Sequence, residues 1–151
     1  MINFLAILAS MNAIVNPFAT DGCTGFFDGT TKEPTLWREC CVEHDLHYWA
    51  GGSRHSRSKA DSLLRDCVKD KAGWVVANLM YGAVRAGHLS PKKIKGKEWG
   101  NAWTQPGFDR LTPAQVLELK GELPKLSIPR DVELRFIERI EKDSTEKVTC
   151  E

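Results

Sequence analysis

The stretch CCVEHDLHYW, residues 40–49, brings sulfur, imidazole, carboxylate and phenol groups together on one short segment. Residues 37–50 contain neither Gly nor Pro and are followed by two glycines, which predicts a helix that ends there. Because consecutive residues are about 100° apart, several polar side chains of this helix share one broad arc. They are Cys40, Cys41, His44, Asp45 and Tyr48. A polar arc of this kind needs protein partners, a metal ion or a functional cavity.

A second helix, predicted to begin near Ser58, carries Asp61 and Cys67. Suppose that Cys67 were bonded to Cys40 across an antiparallel helix pair. His44 would then lie about 6 Å from the bond along the first helix, and Asp61 about 9 Å from it along the second. The imidazole would face the carboxylate at nearly the same level. A histidine held in this way is a general base, because the acid fixes its tautomer and stabilises the imidazolium.

The segment before the first helix, DGCTGFFDG at residues 21–29, is a Gly-rich loop whose backbone carbonyls can be aimed at one point. Asp45 points in a neighbouring direction on the helix, toward this loop. Carbonyl oxygens and one carboxylate form an oxygen-only ligand set, which suits calcium. A divalent ion next to a His-Asp pair is a hydrolytic arrangement. The sequence therefore suggests a calcium site beside the predicted base.

The sulfur chemistry is open at this level, because the chain has five cysteines: Cys23, Cys40, Cys41, Cys67 and Cys150. Four of them could form two disulfides or contribute to one zinc site, and the odd one is free or pairs with another chain. In the zinc interpretation, His44 and His47 would bind the ion together with cysteine thiolates. In the disulfide interpretation, the chain works in an oxidising compartment, because disulfides persist only there.

The composition predicts one folded, mostly α-helical domain. The chain has 151 residues, of which 42% are hydrophobic and 27% charged, and its formal net charge is +1. This length supports a hydrophobic core, and the near-neutral charge gives no reason to expect nucleic acid as a partner. Strict strand alternation is scarce. Further helices are predicted over 74–84, from a capping box at Thr112 and Gln115, and from Pro129, so that residues 111–151 form a helical C-terminal extension.

These motifs resemble a known family. CCVEHDLHY is similar to the C-C-x-x-H-D-x-C-Y helix of secreted phospholipase A2, and the spacing from Asp61 to Cys67 matches its D-x5-C pattern. The chain also resembles a set of bacterial phospholipase-A2-like proteins. In these, D-G-C-[ST]-x-F-x-D-G precedes C-C-x-x-H-D-x-x-Y-W-A-G-G, and W-G-x-x-W follows. The corresponding segments here are DGCTGFFDG, CCVEHDLHYWAGG and WGNAW, so the resemblance covers about residues 20–104.

The resemblance implies a phospholipase A2-like fold, in which two antiparallel, disulfide-linked helices follow a calcium loop. It implies calcium-dependent hydrolysis of the sn-2 ester of glycerophospholipids. His44 would take a proton from the attacking water, Asp61 would hold His44, and Tyr48 would hydrogen-bond Asp61.

The resemblance also implies a ligand set and a disulfide pairing. Asp45 would bind Ca²⁺ through its carboxylate, together with carbonyls near Gly22, Thr24 and Phe26. The disulfides would be Cys40–Cys67 and Cys23–Cys41. Two departures from the family pattern stand out: His47 replaces a usual cysteine, and the loop has bulkier residues at 24–27.

Two further segments bear on the partner. Residues 1–20 are interpreted either as a secretory signal peptide or as an N-terminal interface helix. Lysines and tryptophans between residues 92 and 103 suit either an anionic lipid surface or a solvated loop with its tryptophans in the core. Trp74 is predicted to be a core residue. The resemblance implies a phospholipid membrane surface as partner and a secreted or periplasmic protein. The alternatives are a catalytically inactive phospholipase-like module that binds lipid or protein, and a zinc-bound structural domain.

Overall fold

A computed structural model of the chain describes residues 14–146. These residues form five α-helices, one short 3-10 turn and no strand, which confirms the mostly α class. The helices are α1 (Arg38–Ala50), α2 (Arg54–Ala72), α3 (Trp74–Gly87), α4 (Pro113–Glu122) and α5 (Arg130–Thr145), and the 3-10 turn is Leu123–Lys125. No helix within this range is long and apolar enough to cross a membrane. The predictions for residues 1–13 and for Cys150 lie outside the described residues, and residues 14–20 have no regular secondary structure.

The helix α1 is central to the fold and ends where its sequence predicts. Gly51 has φ 77°, and its backbone N–H donates to the His47 carbonyl over 3.0 Å. A Cβ atom at this position would lie 2.7 Å from the Cα of Gly100. Glycine is therefore needed both for the left-handed backbone and for the close approach of a distant loop.

The helix α2 begins four residues earlier than predicted. Ser53 caps it, because its side-chain oxygen accepts a hydrogen bond from the backbone N–H of Ser56 over 3.1 Å. The polar stretch SRHSRS, residues 53–58, leads up to the predicted start at Ser58, but it is the cap and first turn of the helix. A second glycine with positive φ, Gly73, separates α2 from α3.

Two disulfides connect α1 to its surroundings. Cys40–Cys67 joins α1 to α2, and Cys23–Cys41 joins α1 to the preceding loop, which is the pairing that the resemblance implies. Since Cys40 is near the start of α1 and Cys67 near the end of α2, the two helices are antiparallel. Each cross-link closes a chain segment of 18 or 27 residues. Constraints of this size stabilise a folded chain by about 3–4 kcal/mol.

The C-terminal helices α4 and α5 pack against the side of α1 that faces away from its two cysteines. Leu46 and Trp49 of α1 share one buried cluster with Leu119 of α4 and Phe136 of α5. Thr112 and Gln115 form the predicted capping box at the start of α4. The region that follows residue 110 therefore shares a core with the helix that carries the predicted base.

Trp74 is not a core residue, contrary to the prediction. Its side chain is 70% exposed, and Val75 is 65% exposed, whereas Met80 on the other face of α3 is buried. The apolar run of α3 is therefore buried on one side only, and the periodicity of the sequence alone did not identify which side.

His47 is buried in the interface between α1 and α5. Its ring packs edge-on against Phe136, with 5.2 Å between the ring centroids, and its Nε2 atom has no hydrogen-bond partner in the described part of the chain. Burial, assisted by the nearby Arg139, lowers the pKa of His47 to about 3. The imidazole is therefore neutral in the folded protein.

We expect this histidine to make the protein sensitive to acid. The unfolded chain takes up the His47 proton near pH 6.5, well above the folded pKa. The contribution of the neutral His47 to the free energy of unfolding is therefore fully present above about pH 6.5. As the pH falls toward 3, this contribution decreases by up to about 1.4 kcal/mol per pH unit. Urea unfolding at several pH values should show this slope in the wild type and a smaller one in His47→Leu. The exposed His55 provides the control, and His55→Leu should keep the wild-type slope; equal slopes in all three proteins would contradict the assignment.

Candidate active site

The buried carboxylate of Asp61 is the centre of the site. Asp61 is fully buried, and its Oδ1 atom lies 2.9 Å from the Nε2 atom of His44. The two side chains come from α1 and α2 and face each other across the helix pair. The disulfide Cys40–Cys67 lies one turn from His44 along α1, so the covalent bond and this hydrogen bond fix the same register.

Three more polar groups surround the same carboxylate. The Tyr48 hydroxyl donates to Asp61 Oδ1 over 2.8 Å, and Arg85 Nη1 lies 3.3 Å from Asp61 Oδ2. The Nε2 atom of His88 lies 2.6 Å from the Tyr48 oxygen. The sequence suggested Tyr48 but not Arg85 or His88. Their spacing of three residues places them on one helix face, and only the packing of α3 on α2 turns that face toward Asp61.

The charges of the cluster follow from this geometry. Burial opposes the charged form of Asp61, but the hydrogen bonds from His44 and Tyr48 outweigh this effect, and the pKa of Asp61 is lowered. Burial and the neighbouring Asp61 raise the pKa of Tyr48, which therefore keeps its proton and acts as a donor. Burial lowers the pKa of His88. The ionised carboxylate only accepts, so the His44 nitrogen that faces it, Nε2, is the donor of this hydrogen bond, and in the neutral ring the lone pair lies on Nδ1.

An open cleft of about 780 Å³ adjoins this cluster. Its polar end contains His44, Asp45, Tyr48 and His88. The remaining wall is largely apolar and includes Leu64, Met80, Val84, Ile94, Trp99 and Phe108. No hydrogen bond within the described residues involves the Nδ1 atom of His44. A ligand with an apolar body and a polar reacting group fits a cleft of this kind.

The segment between α3 and α4 closes one side of the cleft and is tied to the end of α1. Trp99 is buried and donates from Nε1 to the Gly52 carbonyl over 2.8 Å, and Trp103 donates to the Ala50 carbonyl over 2.7 Å. The backbone N–H of Gly100 donates to the Tyr48 carbonyl over 2.6 Å. These two tryptophans therefore anchor the segment in the fold. This agrees with the interpretation of residues 92–103 as a loop that places its tryptophans in the core.

The carboxylate of Asp45 is already bound to a cation of the chain itself. Lys97 Nζ lies 2.7 Å from Asp45 Oδ2 and 2.8 Å from Asp21 Oδ1, and the Thr20 hydroxyl donates to the same Asp45 oxygen over 2.7 Å. Burial of Lys97 opposes its charge, but the hydrogen bonds to the two carboxylates outweigh this effect and raise the pKa of the ammonium. Neither Asp21 nor Lys97 was identified from the sequence.

The loop that precedes α1 is held by another ion pair. Asp28 accepts from the backbone N–H of Cys23 over 2.7 Å and pairs with Arg38 over 2.8 Å, so its carboxylate supports the loop. The resemblance implies the backbone carbonyls of Gly22, Thr24 and Phe26 as calcium ligands. Within the described range, these three carbonyls accept no hydrogen bond. Thr24 and Phe26 also line the cleft.

The donor chemistry at this end of the cleft fits a hard cation. Within residues 14–146, no group of three or more His, Cys, Asp or Glu side chains is placed to hold a metal ion. The oxygen donors near Lys97 are the carboxylates of Asp45 and Asp21 and the backbone carbonyls of the loop, and carboxylate and carbonyl oxygens are the donors that calcium prefers. The zinc arrangement is not found, because Cys23 and Cys40 are in disulfides and His47 faces Phe136.

Comparison of the chain with protein-family models, with curated proteins and with solved structures found no match in any of the three.

Proposed function

We propose that this protein is a phospholipase A2-like hydrolase that cleaves the sn-2 ester of glycerophospholipids. The observation that carries the proposal is the buried pair of His44 and Asp61, whose imidazole lines an open, mostly apolar cleft. A histidine fixed by a buried carboxylate is suited to proton transfer, and an apolar cleft is suited to acyl chains.

In the proposed reaction, His44 acts through Nδ1, the nitrogen that does not face Asp61. It accepts a proton from a water molecule, and that water attacks the ester carbonyl. Asp61 stabilises the imidazolium that forms, and it need not take up the proton itself. His44 then returns the proton to the departing alcohol of the lysophospholipid. Tyr48 and Arg85 keep the buried Asp61 charged throughout, since both donate hydrogen bonds to its carboxylate.

The cation end of the cleft supports the phosphate part of the substrate. We propose Ca²⁺ as the cofactor, with the carboxylates of Asp45 and Asp21 and the carbonyls near Gly22, Thr24 and Phe26 as its ligands. When bound there, calcium supplies Lewis-acid stabilisation of the ester oxygen and positive charge for the phosphate. Asp45 directly follows His44 on α1, so a single helix turn aims the base and the cation ligand into one cleft.

The cleft rim supports a membrane surface as partner. Lys92, Lys93 and Ile94 line the cleft, and the Ile94 side chain is 60% exposed. Lysines next to an exposed apolar side chain favour contact with anionic lipid headgroups. The two disulfides support a location in an oxidising compartment, outside the cell or in a periplasm.

Hydrolysis of mixed phospholipid vesicles, measured as released fatty acid, tests the proposal. The wild type should release sn-2 fatty acid, and His44→Gln should lower the rate by about 10²- to 10⁴-fold because it removes the base. Asp61→Asn should also lower the rate strongly. His55→Gln, at an exposed position on α2, is the matched control and should keep the wild-type rate. Equal rates in wild type and His44→Gln would contradict the proposal; vesicle binding without any hydrolysis would favour the inactive binding module.

Vesicle sedimentation tests the membrane surface separately. Replacement of Ile94 by serine should weaken binding to anionic vesicles by roughly fivefold to tenfold, because an exposed apolar side chain at the rim is lost. The control is Leu117→Ser on α4, where the leucine is 70% exposed but does not line the cleft. If both variants bind vesicles as the wild type does, the rim is not the lipid contact.

A further inference from the structure

The most informative feature that the proposed function leaves unexplained is the ammonium group of Lys97. It lies within 2.8 Å of one oxygen of Asp21 and within 2.7 Å of one oxygen of Asp45. Asp45 is largely buried, with its side chain 13% exposed, and Lys97 is 22% exposed. The pair of Lys97 with Asp45 is therefore partly shielded from solvent and from screening by salt, whereas Asp21 is 60% exposed.

We propose that Lys97 is a tethered competitor for the metal ion, so that calcium binds at Asp21 and Asp45 only by displacing the lysine ammonium. This inference deepens the proposed function, because it concerns the regulation of the same site.

The Lys97 ammonium lies between the two carboxylates, where a bridging calcium ion would lie. Calcium binds carboxylate oxygens at about 2.3–2.6 Å, closer than the 2.7 Å and 2.8 Å of the lysine contacts. An ion at that distance from both carboxylates would occupy the space that Nζ now fills. The oxygen of Asp45 that contacts Lys97 also accepts the Thr20 hydroxyl. The lysine ammonium and an ion that bridges these same two carboxylate oxygens therefore exclude each other.

The charges of the three side chains favour exchange of the lysine for a divalent cation. Two carboxylates and one ammonium leave one net negative charge, which still attracts a divalent cation. When calcium replaces the lysine, the carboxylates are neutralised by the ion and the ammonium is released. Lys97 lines the cleft together with Lys92 and Lys93. A released ammonium therefore adds to the positive charge that faces an anionic substrate, and calcium binding would also prepare the cleft for the phosphate group.

The position of Lys97 in the chain keeps its ammonium close to the two carboxylates. Trp99, two residues after Lys97, is buried and hydrogen-bonded to the end of α1, and Gly100 is bonded to the Tyr48 carbonyl. The lysine is thus attached to a fixed point of the fold. A tethered group competes at a high effective concentration, which does not fall when the protein is diluted. Calcium affinity should accordingly be lower than the ligand set alone would give.

Calorimetric titration with calcium chloride, at low salt and neutral pH, tests this inference. Lys97→Met should bind calcium at least fivefold more tightly than the wild type, because the competitor is removed. Lys95→Met, at an exposed position two residues away, removes the same charge and is the matched control. Its calcium affinity should stay within twofold of the wild type. Asp21→Asn should weaken calcium binding, since it removes one of the two carboxylates.

Several results would overturn the inference. They are unchanged or weaker calcium binding in Lys97→Met, equal tightening in Lys95→Met, or no calcium binding by any of the proteins. If Lys97→Met folds poorly, Lys97→Gln replaces it, because glutamine retains a hydrogen-bond donor. Calcium should raise the Tm of Lys97→Gln by more than it raises the Tm of the wild type. An equal rise in the two proteins counts against the competition. The hydrolysis assay tests His44 and does not involve Lys97. If His44-dependent hydrolysis is observed but Lys97→Met does not bind calcium more tightly, only the competition is rejected and the proposed function stands.

Discussion

The structure depends on how one buried negative charge is compensated. Asp61 has no contact with solvent, and an isolated carboxylate in such a place would be strongly destabilising. Hydrogen bonds from His44, Tyr48 and Arg85 satisfy it, and these three donors come from α1 and α3. The carboxylate on α2 therefore draws its two neighbouring helices into one arrangement. The same arrangement leaves the second ring nitrogen of His44 available for proton transfer. The hydrogen bond between His44 and Asp61 therefore both stabilises the fold and positions the proposed base.

The cleft continues from this cluster to a second group of charges. His44 and Asp45 are adjacent in sequence, and both lie at the polar end of the cleft. The cation position between Asp21 and Asp45 is taken by Lys97, a residue of the chain itself. The proposed base, His44, is thus already held in place, whereas the proposed cation position is filled by Lys97. In the proposed mechanism, control of the reaction therefore lies at the cation.

Much of the site could be predicted from the sequence because it depends on local geometry. The rise and rotation of a helix bring His44 and Asp61 to one level as soon as Cys40 and Cys67 are joined. The start of α2 was misplaced because the capping role of Ser53 was overlooked in a polar segment.

The remaining features depend on packing between distant segments. Trp74 was expected in the core, and periodicity does not say which face of α3 is covered. Arg85 and His88 reach Asp61 only through the contact of α3 with α2. The pairing of Lys97 with Asp45 spans 52 residues of sequence, and no local pattern predicts it. Long-range contacts of charged side chains were therefore the part that the sequence could not specify.

The most direct test of the central claim is an NMR measurement on protein with ¹⁵N-labelled histidine rings. A hydrogen bond to a buried carboxylate should give His44 a ring N–H proton on Nε2 that is protected from exchange with water, with Nδ1 unprotonated. The His44→Gln spectrum assigns the signal among the four histidines of the chain. The account predicts that this protected proton is present in the wild type and lost in Asp61→Ala. A His44 ring protonated on Nδ1, or a protected signal that persists in Asp61→Ala, would contradict it.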